Sequence, residues 1–194
     1  MIIGIDEVGL GAWAGPLVVC AFAAPNESWT VPGLTDSKAF KGEAQVYIRS
    51  QLAGRLSREF PSHHVLISVD ALDIDRYGIG VVLPMAMNRA LEKLVDLAGL
   101  PDRVIVDGED KNVLGAEFHS KADLKFPCVS AASVIAKVFR DDYMTGMSAE
   151  YPHYGFVSHV GYGTKEHRAA LDKNGLCPLH RRSYQPMRGM VKTK

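Results

Sequence analysis

Apolar residues at the start of the chain come in short unbroken runs. Residues 2–5 run straight into the acids Asp6 and Glu7, residues 17–23 form a second run, and a turn with Gly9, Gly11, Gly15 and Pro16 lies between them. Short apolar runs bounded by turn residues read as buried strands, so the chain opens on a hairpin-like pair. Beyond Ser37 the period lengthens. Ile48, Leu52, Leu56 and Phe60 recur every four residues, which predicts a helix over much of 38–60. Residues 65–69 read as a third strand. Pro84 is expected to open a helix with Met87, Leu91, Leu94 and Leu97 on one face and Gly99 past its end, and Met85 and Met87 both read as core. Residues 103–107 form a strand that again ends in an acid, Asp107. The stretch 118–126 is short and irregular. Residues 130–147 read as a helix with Val134, Ile135, Val138 and Phe139 inward, and Thr164 can cap a helix running to Asn174 and closed by Gly175.

Strands and helices alternate after an antiparallel opening, which predicts an α/β fold with a mixed sheet flanked by helices. The 194 residues fit one domain, with 47% hydrophobic and 23% charged residues, the mix of an ordinary globular protein. No apolar run approaches the roughly 20 residues that a membrane helix needs. The first residues carry no basic stretch, so no signal peptide is expected. Cys20, Cys128 and Cys177 lie far apart, which argues against a disulfide framework or zinc site and suits a reducing cytoplasm. The net charge is zero but unevenly spread. Residues 61–120 hold ten acids against five bases, and residues 151–194 hold eight bases against two acids. An acidic front and a basic tail suit a polyanion held by the tail and metal ions held by the front; small charge blocks in a solvated surface are the alternative.

The candidate chemistry sits at strand ends. Asp6, Glu7 and Asp107 end two predicted strands, where α/β sheets gather ligands. Neighbouring buried carboxylates repel unless a cation or proton lies between them, and hard divalent cations prefer such oxygens. The competing reading is helix-capping or solvated acids. The run Gly9-x-Gly11-x-x-x-Gly15-Pro16 allows close approach of backbone to a ligand, but it matches neither a Walker loop nor a dinucleotide fingerprint, and it also suits a plain hairpin turn.

Seven segments, in order, resemble one family. Gly4-Ile5-Asp6-Glu7-Val8-Gly9-x-Gly11-x-x-Ala14-Gly15-Pro16 is similar to the opening motif of ribonuclease HII. Asp36-Ser37-Lys38, Val106-Asp107-Gly108 and Lys121-Ala122-Asp123 resemble its next three signatures. The run from Ser130 to Asp141 resembles its long helix; Tyr154-Gly155-Phe156 with Gly161-Tyr162-Gly163-Thr164-x-x-His167, then His180-Arg181-Arg182-Ser183-Tyr184, resemble its C-terminal part. The resemblance runs from residue 2 to about 186. It implies the RNase H-like fold, a five-stranded mixed sheet with a small helical C-terminal part, as a single catalytic domain over 1–194 whose basic substrate-binding part starts near 150. It implies four metal-binding catalytic carboxylates, Asp6, Glu7, Asp107 and Asp123, holding two divalent ions, Mg²⁺ or Mn²⁺. Asp123 is promoted by the resemblance alone; Asp141 and Asp142 read as solvent or salt-bridge residues.

The implied activity is hydrolysis of the RNA strand in RNA–DNA hybrids and at ribonucleotides embedded in duplex DNA, leaving 3′-hydroxyl and 5′-phosphate ends. Gly9, Leu10 and Gly11 would read the substrate, Tyr162 would pack on a sugar, and Lys38, Arg181 and Arg182 would meet phosphates. A monomer is expected, and no clamp-binding motif is evident in the tail. The chain departs from the family at Leu10, where ribonuclease HII usually has Arg between the two glycines. That feature resembles ribonuclease HIII, whose extra N-terminal domain is not expected ahead of Ile2. A ribonuclease HIII-like enzyme with weak action on single ribonucleotides is therefore the first alternative. A catalytically silent hybrid-binding protein is the second, and the intact acid set speaks against it.

Overall fold

The computed structural model describes residues 1–34 and 42–190. Its five strands, β1 (Ile2–Val8), β2 (Leu17–Ala24), β3 (His64–Val69), β4 (Arg103–Asp107) and β5 (Ala116–His119), form one sheet in the order β3-β2-β1-β4-β5. β1 pairs antiparallel with β2 and parallel with β4, so the sheet is mixed, with β1 at its centre. β2 is buried along its whole length, which explains its unbroken apolar run. Val18, Cys20 and Phe22 face one helical layer and Leu17, Val19 and Ala21 the other, by the two-residue alternation of a strand.

The first layer holds α1 (Gly42–Glu59) and α4 (Pro127–Glu150); the second holds α2 (Ala71–Tyr77) and α3 (Ile79–Ala98). Gly4 decides how closely α4 lies on β1. A Cβ there would stand 2.4 Å from the backbone of Cys128 and Val129, so only glycine lets the start of α4 sit directly on the central strand. A third cluster, with Ala14, Met144, Phe156, Leu171 and Met187, joins the glycine turn after β1 to the C-terminal part, where α5 (Phe156–His159), α6 (Lys165–Asn174) and α7 (Met187–Met190) lie. No helix among the described residues is long and apolar enough to cross a membrane.

Several expectations need correction. α2 shows no helical period because it is only seven residues long; Asp70 caps it, accepting a hydrogen bond from the Asp73 amide at 2.8 Å. α3 starts at Ile79, five residues ahead of Pro84, because Val82 and Leu83 already bury its inner face and Gly78, with φ +81°, breaks the chain from α2. Pro84 is thus inside the helix. Met85 is exposed while Met87 is buried, since residues two apart on a helix point about 200° apart. Phe139 is likewise exposed, on the outer side of α4. α6 has the expected bounds, with Thr164 accepting from the His167 amide and Gly175 closing it.

Candidate active site

The sheet gathers the acids. The parallel register pairs Ile5 with Val106, so Asp6 and Asp107 stand side by side one step further along β1 and β4. Asp6 is buried beneath α4, and its Oδ1 accepts from the Glu7 amide at 2.9 Å. Burial pushes its carboxyl up to about 7; the charges of Glu7 and Asp107 push the same way, against a hydrogen bond from the Ser133 hydroxyl. Burial also raises Glu7, and the Lys111 ammonium opposes that rise. Lys111 Nζ lies 3.3 Å from Glu7 Oε2 and donates to the Asp107 backbone carbonyl.

Asp107 Oδ1 accepts from the Ala122 amide at 2.6 Å. This bond ties the end of β4 to the short 3₁₀ turn Ala122–Leu124 and so brings Asp123, one residue on, to the same end of the sheet. Lys121, with φ +56°, makes the bend into that turn. Asp123 is half-buried. Among the described residues no three acids, histidines or cysteines already close around one point. The donor set nevertheless suits a hard divalent cation. It consists of carboxylate oxygens, one of them buried and driven toward protonation by two others, an arrangement that added positive charge relieves. Beside Glu7, a groove of about 150 Å³ is lined by Val8, Arg49, Ser133, Val134 and Lys137.

The glycine turn is braced from within. Gly9 and Gly15 have φ near +88° and +86°, and a Cβ on either would strike Arg140 or Met144 at 2.3 and 2.2 Å. Gly11 differs: nothing lies within 4 Å of its missing Cβ, so its backbone faces open space. The Trp13 and Ala14 amides both donate to the Gly161 carbonyl, at 2.9 and 3.1 Å. Two buried guanidinium groups take the turn's carbonyls. Arg140 donates to Pro16, Ala14 and Val160 at 2.9, 3.0 and 2.8 Å. Arg181 donates to Gly15 and Leu10 at 3.1 and 3.0 Å, and the Tyr184 hydroxyl also reaches Leu10.

Arg181 is therefore not the phosphate contact expected from sequence. It is fully buried, and its donors point into the protein. Arg182 is exposed; its amide and the Ser183 amide and hydroxyl are held by the Asp75 carboxylate at 2.8, 2.9 and 2.6 Å. Tyr162 is half-buried, its ring facing the Arg140 guanidinium at 5.2 Å and the Lys137 ammonium at 5.8 Å. Lys137 also pairs with Asp141 at 2.8 Å, and Leu10, in the glycine turn, is exposed. Lys38 lies outside the described residues.

Beneath Tyr162 is a histidine chain that sequence spacing does not announce. The Cys177 amide donates to His180 Nδ1 at 3.0 Å, which leaves the proton of neutral His180 on Nε2. That Nε2 lies 3.0 Å from His167 Nε2, and His167 Nδ1 lies 3.0 Å from the Tyr162 carbonyl. Burial lowers both rings to about 4, so the chain is neutral near pH 7 and runs one way, from Cys177 to Tyr162. His159 stacks on His167 at 4.4 Å. Lys111, Ser133, Arg140, Asp75 and this chain are the site's supports that sequence reasoning did not assign.

The family described as Ribonuclease HII matches residues 3–187. Ribonuclease HII of Staphylococcus aureus, from strains Newman and USA300, is 38% identical over 192 residues, covering 98% of this chain and 72% of the relative. Among solved structures, the PCNA:RNase HII complex of Archaeoglobus fulgidus aligns with a TM-score of 0.78 at 23% identity, over 100% of this chain and 98% of that one. Ribonuclease H2 of Pyrococcus horikoshii OT3 gives 0.74 at 23%, over 97% and 96%. Bst-RNase HIII in complex with Mn²⁺ gives 0.72 at 20%, over 96% and 68%. At these identities the three structures establish the fold.

Folded Asp6 keeps its proton up to about pH 7, whereas the unfolded chain releases it near 3.8, so between these values the folded state binds more protons. Metal-free protein should lose stability as pH rises through that window. Asp6→Asn should flatten the decline and gain up to about 4 kcal/mol at pH 8, read from denaturant midpoints across pH. A parent-like slope in the variant would show that Asp6 is not the source. Arg181→Ala should cost about 2–4 kcal/mol of stability by orphaning buried carbonyls. Arg182→Ala should leave the melting point unchanged and lower the salt slope of duplex binding by about 1. A stable Arg181→Ala protein would return that arginine to the surface.

Proposed function

The chain belongs to the ribonuclease HII family and is a ribonuclease H, a hydrolase of RNA–DNA hybrids; on that premise we propose that it cuts the RNA strand internally, acts also at ribonucleotides embedded in duplex DNA, and uses two divalent ions held by Asp6, Glu7, Asp107 and Asp123. The observation that carries this reading is the convergence of Asp6, Glu7 and Asp107 on one electrostatic cluster, buried enough to drive Asp6 to about 7. Two bound Mg²⁺ or Mn²⁺ ions would activate a water and stabilise charge on the phosphate and the departing 3′-oxygen. The protein's own residues have other tasks. The carboxylates offset the ions' charge, Gly11 offers open backbone to a 2′-hydroxyl, which both donates and accepts, and Tyr162 offers a ring face to a sugar. Arg182, Lys38 and the basic tail offer phosphate contacts that make binding salt-dependent. The products are a 3′-hydroxyl and a 5′-phosphate.

The protein is read as a cytoplasmic monomer working on nucleic acid in replication and repair; three free, buried cysteines suit a reducing compartment. The Archaeoglobus relative is seen in complex with PCNA.

Leu10 favours a second reading, closer to ribonuclease HIII in substrate choice. An arginine at this position could lock the turn or fix a phosphate. Arg181 and Tyr184 already hold the Leu10 carbonyl, which supports the view that Leu10 lacks the phosphate contact and not the lock. A long hybrid can replace one contact through other registers, and a lone ribonucleotide cannot.

Asp107→Asn should abolish cleavage in Mg²⁺ or Mn²⁺ and leave hybrid binding intact; cleavage near the parental rate would remove Asp107 from the site. Leu10→Arg should lower the ratio of long-hybrid to single-ribonucleotide cleavage by roughly 10- to 150-fold, the worth of one charge-assisted hydrogen bond. Both substrates are compared for both proteins at one salt and metal concentration. An unchanged ratio would make the arginine dispensable here.

A further inference from the structure

We propose that Lys111 is an internal counter-cation of the acidic site, holding Glu7 when no metal is bound and yielding it when a divalent ion enters. The proposal rests on the metal-binding reading of the carboxylates and assigns to this chain a residue that sets metal affinity. Lys111 comes four residues after Asp107, on the connection from β4 to β5. Its side chain does not extend into solvent. It folds back over Gly108, so that Nζ stands 3.0 Å from where a Gly108 Cβ would be. There Nζ lies 3.3 Å from Glu7 Oε2 and donates to the Asp107 carbonyl. Both partners are shielded: the Lys111 side chain is 16% exposed and that of Glu7 12%.

A lysine on a surface connection gives up considerable rotamer freedom to hold this position. Three acids within reach of one another supply the attraction that holds it. The same attraction is what a divalent ion uses, and a hard doubly charged ion offers more to the carboxylates than one ammonium does. Ammonium and metal therefore compete for Glu7. A neutral residue at 111 leaves the metal-free cluster uncompensated and opens it to metal at the same time. Metal affinity and metal-free stability must then move in opposite directions, which a merely structural salt bridge does not require.

The test is Mn²⁺ binding, by calorimetry or by the electron paramagnetic resonance of free Mn²⁺, with melting curves with and without saturating Mn²⁺. The proteins are the parent, Lys111→Met, Lys111→Gln as a second neutral variant, and Lys111→Arg. The neutral variants should bind Mn²⁺ roughly tenfold more tightly than the parent. They should melt lower without metal and regain parental melting in saturating Mn²⁺. Lys111→Arg, which keeps the charge, should stay close to the parent on both readouts. If the parent binds Mn²⁺ and the neutral variants bind it equally or more weakly, the counter-cation role is overturned and the metal site stands. A parent that binds no Mn²⁺ overturns the metal-binding reading itself, and this role with it.

Discussion

The repulsion among Asp6, Glu7 and Asp107 is the constraint around which the rest of the molecule is arranged. A carboxylate under a helix and beside two others is costly unless positive charge or a proton compensates it. The fold makes that arrangement unavoidable. Gly4 lets α4 lie directly on β1, the parallel pairing sets Asp6 next to Asp107, and the Ala122 amide fixes the Asp107 carboxylate toward the turn that carries Asp123. Three elements distant in sequence thus deliver acids to one end of the sheet. Lys111 and the Ser133 hydroxyl give partial relief, and the remaining demand for positive charge is what suits the cluster to a hard divalent cation.

The glycine turn is built on the opposite charge pattern, with cations inside and carbonyls turned toward them. Arg140 and Arg181 gather the carbonyls of the glycine turn, and Asp75 anchors the segment that delivers Arg181 and Tyr184. The turn after β1 is therefore held by α4 and by the C-terminal segment, and the histidine chain fixes the neighbouring Tyr162 carbonyl in the same assembly. The acid cluster and the glycine turn are coupled through α4, which covers Asp6 at one end and supplies Arg140 further along.

Much of this was legible in the chain. Strands 2–5, 17–23, 65–69 and 103–107 are apolar runs bounded by turn residues, and the sheet uses all four. The cap and stop of α6 are local chemistry, and local chemistry survives folding. The collinear motifs named Asp6 and Asp107, and the parallel pairing of β1 with β4 sets these two side by side. The failures share a physical origin. Arg181 read as a phosphate contact, and Lys111 and Arg140 received no role, because a side chain's direction is set by partners 104 to 166 residues away. The basic tail was weighed by formal charge, and burial of Arg181 removes one of its eight bases from the surface. α2 is too short to show a period, and Pro84 tells where a helix is permitted to begin, not where its apolar face begins. The histidine chain joins residues 13 apart on separate elements, a spacing that no helix or strand period produces.

If the strand-end carboxylates form one cation-binding cluster, Lys111 is its resident charge, and a divalent ion displaces it. Anomalous diffraction from crystals of the parent protein soaked in Mn²⁺ tests it most directly. Anomalous density is expected among Asp6, Glu7, Asp107 and Asp123, with Lys111 Nζ withdrawn from Glu7. Density elsewhere, or none, or Lys111 still bound to Glu7 beside an ion, would contradict it.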